Sequence, residues 1–219
     1  PKEQAAVDAL QGEERTKALN EARQKQWRNK CVSDTYYPGS VFKMVTASMG
    51  LEEGIISENT SFSCPGYYVV ADRRISCWKS GGHGSETFAQ GLCNSCNPVF
   101  IQVGEKLGPE TFFKYFEAFG FTQKTGIDLP GESRSIYYDE TMGPVELATE
   151  SFGQNFSITP IQMITAAAAV ANGGYLVQPH VVAQVIDDEG NIVRTTDTTV
   201  KRQVISNETS RRVSAMLQE

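Results

Sequence analysis

Apolar positions are thinly spread over residues 2 to 26 and crowd together from residue 40 onward. In the first stretch Ala5, Ala6, Ala9, Ala18 and Ala22 favour helix, and Glu13 with Lys17 and Glu21 with Lys25 form well-oriented i, i+4 pairs. The apolar stripe is narrow, so the pattern predicts a mostly exposed, charged helix over residues 1 to 27. Pro38-Gly39 breaks the chain, and Val41, Phe42, Met44, Val45, Ala47 and Met49 then follow with few polar interruptions. That run predicts a buried helix from Ser40 to about Leu51.

Residues 60 to 78 alternate and carry Tyr67, Tyr68, Val69, Val70 and Ile75, the pattern of a small hairpin ended by Gly81, Gly82 and Gly84. Helices are expected over Glu86 to Leu92, from Pro98 to Leu107 with proline in the first turn, and from Pro109 to Phe119. Residues 120 to 140 read as loop, and Glu146 to Phe152 as a short helix. Thr159-Pro160-Ile161-Gln162 opens an apolar helix that stops at Asn172-Gly173-Gly174. Val181 to Arg194 reads as a hairpin turning at Asp188 to Asn191, and Ser206 to Leu217 as a last helix. The sum is an α/β chain rich in helix and poor in strand, a helical layer without most of its sheet.

Hydrophobic residues make up 40% and charged residues 21%, the balance of a globular protein. The net charge of −6 with scattered basic residues argues against a nucleic-acid partner, which needs a concentrated basic face. No apolar run reaches the roughly 20 residues that cross a bilayer, so any anchor or targeting segment is expected outside this sequence.

Ser40 and Lys43 stand three residues apart, which on a helix puts hydroxyl and amine on one face, a turn apart. A serine needs a base to act as a nucleophile, and a lysine can be that base once burial and the positive end of a helix lower its pKa. Downstream, Ser95-Cys96-Asn97 directly precedes a helix starting at Pro98. Its hydroxyl can relay a proton and its amide can hold a carbonyl.

Tyr37-Pro38-Gly39-Ser40-Val41-Phe42-Lys43 resembles the nucleophile motif of class B penicillin-binding proteins, and Asn94-Ser95-Cys96-Asn97-Pro98 resembles their second motif. Phe119-Gly120-Phe121, the stretch Thr125 to Glu132, Phe152-Gly153-Gln154, the stretch Ile158 to Gln162 and Ala171-Asn172-Gly173-Gly174 resemble the family in the same order. The subgroup it resembles includes division and sporulation-type enzymes. The resemblance implies the fold shared with serine β-lactamases, with residues 28 to 219 as a transpeptidase domain incomplete on its C-terminal side. It implies Ser40 as the acylated nucleophile, Lys43 as general base, Ser95 as proton relay and Asn97 as a partner of substrate and Lys43. The implied reaction cross-links peptidoglycan stem peptides on the extracytoplasmic face of the bacterial membrane, needs no catalytic cofactor and is blocked by β-lactams. A serine β-lactamase, or a β-lactam-sensing or scaffold module, is the alternative.

The family's third motif, Lys-Thr/Ser-Gly, lies on a strand that supplies one oxyanion donor, the Ser40 backbone N–H being the other. Lys124-Thr125-Gly126 has the right letters, but Pro130-Gly131 nearby argues for a loop. The expectation is therefore that the third motif comes from a missing segment or a second polypeptide, and that residues 1 to 219 alone acylate poorly.

Of five cysteines, Cys64, Cys77, Cys93 and Cys96 cluster in sequence, ending in a Cys-x2-Cys pair. That set suits a tetrahedral structural zinc behind the second motif, with His83 able to replace one cysteine, most easily Cys96. A Cys64–Cys77 disulfide or inert buried thiols are the other readings.

Overall fold

The computed structural model describes residues 9 to 218. Helix α1 (Gly12–Trp27) carries the expected charged pattern and has no buried residue; the part of that expectation covering residues 2 to 8 lies outside the described residues. A short helix, α2 (Lys30–Ser33), is capped by the Asn29 side chain. The nucleophile segment starts as a 3-10 turn (Gly39–Phe42) and continues as α3 (Lys43–Glu52), buried along nearly its whole length.

Helix α3 is the axle of the molecule, packed against the later helices α5, α7 and α8 (Asn97–Ala118, Pro160–Ala171 and Asn207–Met216). Phe42 sits at its head, fully buried, with Phe112, Phe116, Phe121 and Phe156 ringing it at centroid distances of 6.2, 6.1, 5.4 and 4.8 Å. Each such ring contributes about 1.5–3 kcal/mol by leaving water, which fixes the start of α3 firmly. Helix α5 bends at Gly108, whose φ of 74° and ψ of 163° break the helical run just before Pro109. The two helices expected on either side of Pro109 are thus present as two helical arms that meet at this break.

Strands β1 (Ser61–Cys64), β2 (Tyr67–Val70), β3 (Arg73–Ser76) and β4 (Gly84–Thr87) precede helix α4 (Phe88–Cys93). The expected hairpin is β2–β3, while β1 pairs antiparallel with β4 across the glycines. Thr87 and Gln90 close a capping box at the start of α4, and Thr159 with Gln162 does the same for α7. Helix α6 (Pro144–Glu150) packs on α5. Beyond α7, β5 (Tyr175–Val177) pairs with β8 (Val200–Gln203), and β6 (Gln184–Ile186) with β7 (Ile192–Thr195) forms an exposed hairpin. Glu52 at the end of α3 accepts from the Ser206 N–H and hydroxyl, placing a carboxylate at the N-terminus of α8 where the helix dipole favours it. Among the described residues the strands form four two-stranded pairs and no larger sheet, so this α/β chain is mainly the helical layer of its fold. No helix among the described residues is long and apolar enough to cross a membrane.

Candidate active site

The site is built from the position of Gly39. Its N–H donates to the Gly153 carbonyl at 2.8 Å. Gly153 has φ +86°, and a Cβ there would lie 2.0 Å from the Gly39 oxygen, so only glycine lets the two backbones meet. Ser40 follows on the 3-10 turn, and Phe42 drives into the aromatic ring cluster. Lys43, the first residue of α3, is left 1% exposed.

Lys43 Nζ lies 3.3 Å from Ser40 Oγ, 2.7 Å from the Ser95 carbonyl, 3.0 Å from Ser95 Oγ and 2.7 Å from Asn97 Oδ1. An ammonium has three protons for these four oxygens. Ser40 is the longest contact and so the one most readily inverted, with the hydroxyl donating to a neutral amine. Burial pushes the Lys43 pKa down to about 8, against an opposing pull from the Cys96 and Cys77 sulfurs. A poised base beside a hydroxyl, with a second hydroxyl on its far side, can take and pass on a proton. The four residues singled out from the sequence are thus brought together on one amine.

Ser95 occupies the left-handed region at φ +50°, and the turn it makes carries the chain from the end of α4 to the start of α5. Asn97 opens α5, and its Nδ2 reaches the Ser76 carbonyl at 3.4 Å. That contact ties the second motif to the β2–β3 hairpin.

Lys124-Thr125-Gly126 lies in a loop. The Glu132 carboxylate accepts from the Thr125 N–H, the Thr125 hydroxyl and the Gly126 N–H, and Lys201 Nζ donates to the Thr125 carbonyl. The letters of the third motif are here tied into a loop held by an internal carboxylate.

The cysteines regroup. Cys64, Cys77, His83 and Cys96 bring their ligand atoms within 4.8 Å of one another, whereas Cys93 is exposed with its sulfur toward the Met216 carbonyl at 3.6 Å. The set expected from the sequence is corrected: His83 stands where Cys93 was expected, not in place of Cys96. The reason is local. Helix α4 ends at Cys93, and the left-handed Ser95 reverses the chain, so Cys93 and Cys96 point to different sides. Register brings in the other members of the group. Cys64 faces Gly84 across β1–β4, which brings His83 beside it, and the Cys77 N–H donates to the Gly66 carbonyl. Gly82 makes the crossing possible, since a Cβ there would lie 2.1 Å from the Cys64 oxygen. Burial raises the Cys96 thiol pKa. For Cys64 burial acts the same way, but hydrogen bonds from the His83 and Gly66 backbone and from the Cys96 and Cys77 side chains together hold the thiol below its usual value. Three sulfurs and an imidazole at this separation fit a tetrahedral zinc, and His83 Nε2 is buried with no hydrogen-bond partner among the described residues. The signal in the sequence was the glycine pair before His83, which marks a tight crossing.

A second buried group escaped the sequence altogether. Glu150, the last residue of α6, is 0% exposed, and neither carboxyl oxygen has a hydrogen-bond partner within 3.5 Å among the described residues. Burial pushes its pKa up to about 8, with the Tyr138 backbone opposing and Glu146 adding to the rise.

The penicillin binding protein transpeptidase domain model matches residues 4–219. Stage V sporulation protein D of Bacillus subtilis is 45% identical over 194 residues, 87% of this chain and 30% of that protein. Peptidoglycan D,D-transpeptidase MrdA of Acinetobacter baumannii is 34% identical over 166 residues, 70% of this chain and 25% of that protein. The chain therefore spans less than a third of the length of either relative. Among solved structures, the D,D-transpeptidase domain of a peptidoglycan glycosyltransferase from Eggerthella lenta superposes with a TM-score of 0.82 at 27% identity, over 92% of this chain and 53% of that one. Penicillin binding protein 3 from Mycobacterium tuberculosis, complexed with aztreonam, gives 0.78 at 28% identity, over 90% and 45%. The family model spans nearly the whole sequence, the fold agrees over about nine-tenths of it, and the chain belongs to the penicillin-binding protein transpeptidase domain family.

Proposed function

We propose that this chain carries the nucleophile half of a peptidoglycan D,D-transpeptidase. The observation that carries the reading is Lys43 Nζ, in reach of Ser40 Oγ, Ser95 Oγ and Asn97 Oδ1 at once. Ser40 Oγ attacks the penultimate D-Ala carbonyl of a stem peptide while its proton passes to neutral Lys43. Ser95 Oγ relays that proton to the departing D-Ala amine, and Asn97 holds Lys43 and the substrate amide. The ester on Ser40 is then attacked by an amine of a neighbouring stem peptide, which forms the cross-link and returns the proton to the enzyme. The substrate places this chemistry on the extracytoplasmic face of the membrane. We assign the third-motif strand to polypeptide outside residues 1 to 219, because Lys124-Thr125-Gly126 is engaged by Glu132.

The second part of the proposal is a structural zinc ion on Cys64, Cys77, His83 and Cys96, supported by the 4.8 Å grouping of their ligand atoms. Bound there, zinc would cross-link β1, the end of β3 and the cap of α5. Metal content by mass spectrometry, with thiol titration, should give one zinc per chain and melting on its removal. Metal-free protein with Cys64 and Cys77 joined as a disulfide would overturn it.

Labelling with a fluorescent penicillin, in the natural polypeptide that contains this chain, tests the main proposal. The label should map to Ser40 and vanish in Ser40→Ala. A label on another residue refutes the assignment, and rapid nitrocefin turnover would favour a β-lactamase.

A further inference from the structure

We propose that Asn94 is a positioning residue for the second motif, held from two sides by Trp78 and Glu86, and that this clamp fixes the orientation of Ser95. The inference rests on the reading of Ser95 as the proton relay.

Ser95 presents Lys43 with two acceptors, its carbonyl at 2.7 Å and its hydroxyl at 3.0 Å. The backbone torsions aim the carbonyl and the Cα–Cβ bond from which the hydroxyl projects, and φ +50° is a conformation that a side-chain-bearing residue holds only when its surroundings impose it. The torsion φ turns about the bond that follows the Asn94–Ser95 peptide plane. Fixing that plane is therefore the first requirement for fixing Ser95.

The plane is held at both edges. On one edge the Asn94 carbonyl accepts from the Trp78 indole N–H at 2.9 Å. On the other the Ser95 N–H donates to the Leu92 carbonyl at 2.9 Å. The Asn94 side chain is held as well, its Nδ2 donating to Glu86 Oε2 at 2.9 Å. None of these groups touches Lys43 or Ser40 by hydrogen bond, so the reaction itself does not call for them.

Two peculiarities become intelligible on this reading. Trp78 is 66% exposed, an unusual setting for the largest apolar side chain, yet its one polar atom is turned inward to Asn94. Glu86 is a buried carboxylate on β4, where an acid needs a partner; Oε2 takes the Asn94 amide, while Oε1 has no hydrogen bond among the described residues and lies 3.8 Å from His83 Nδ1. The Trp78 ring stands edge-on to His83 at 5.5 Å. His83 therefore touches both jaws of the clamp, and the sulfur–imidazole cluster is joined to the Lys43 site through Asn94.

The test uses Trp78→Phe, Glu86→Ala, Glu86→Gln and Asn94→Ala in the natural polypeptide, with thermal melting and the second-order rate of acylation by fluorescent penicillin across pH. Trp78→Phe keeps the ring and removes only the N–H; Glu86→Gln keeps an acceptor oxygen for Asn94. Trp78→Phe, Glu86→Ala and Asn94→Ala should each slow acylation by roughly tenfold to a hundredfold, the scale of a misplaced catalytic group. They should also move the acid limb of the rate profile, because Lys43 is bonded to Ser95. Glu86→Gln should restore most of the rate. The proposal is overturned if Trp78→Phe and Glu86→Ala melt normally and acylate at the wild-type rate, or if Glu86→Gln loses as much as Glu86→Ala. Ser40→Ala serves as the separate control: a label surviving there removes the catalytic reading, whatever the clamp variants do.

Discussion

Gly39 donates its N–H to the Gly153 carbonyl at 2.8 Å, and the two backbones approach so closely that a methyl group on Gly153 would lie 2.0 Å from the Gly39 oxygen. The residue after Gly39 is the nucleophile candidate, so this contact is its seat. Gly153→Ala should push Gly39 away, lowering stability by on the order of 1–3 kcal/mol as overpacking does. Acylation should fall further than the loss of folded protein explains, and penicillin labelling of the folded fraction reads the difference. A folded variant labelled at the wild-type rate would show that the seat tolerates displacement.

The pKa of Lys43 sets a pH limb. Burial lowers it from 10.5 to about 8, so the amine gains its lone pair two to three units earlier than a free lysine. Below about pH 8 the protonated form prevails and cannot take the Ser40 proton. Acylation should therefore fall about tenfold per unit as pH drops beneath the limb, and level off above it. A limb close to 10.5 in stopped-flow acylation would mean that the site is wet.

Glu150 makes a stability prediction of opposite character. Its folded pKa is raised to about 8 from an ordinary 4.5. The unfolded chain loses the proton first, so the group's contribution is complete below about pH 4.5 and is lost as pH rises through about 8. Glu150→Gln should flatten the decline of the melting midpoint across that window. An unchanged slope would show that Glu150 is not the titrating group.

Glu132 separates loop from site. Its carboxylate accepts three hydrogen bonds from Thr125 and Gly126. Glu132→Ala should cost about 2–3 kcal/mol, the scale of hydrogen bonds to a charged group, and leave acylation of the folded protein unchanged. Loss of acylation at full stability would return Lys124 to the active site.

Much of this was readable in advance where the determinants are local. The turn-apart spacing of Ser40 and Lys43, the proline opening the helix after Asn97, and the Thr159–Gln162 cap each state their geometry within a few residues. What stayed hidden depended on distant partners. Strands β5 and β8 are short, and nothing near Tyr175 announces that Val200 to Gln203 will pair with it. The pairing of β1 with β4 replaced Cys93 by His83, a choice settled by register and by the φ of Ser95. Glu150 is one acid in a short helix, and its burial follows from packing alone.

The ring of phenylalanines around Phe42 also has a consequence for time. Amides at the head of α3 can exchange with solvent only when Phe112, Phe116, Phe121 and Phe156 let go together, which is close to unfolding the molecule. The β6–β7 hairpin, exposed on every strand residue, can open on its own. Deuterium should therefore enter residues 184 to 195 well before residues 42 to 46. A serine mounted beside the slowest-opening part of the chain is held still by the core beneath it, and movement falls to the looser segments around it.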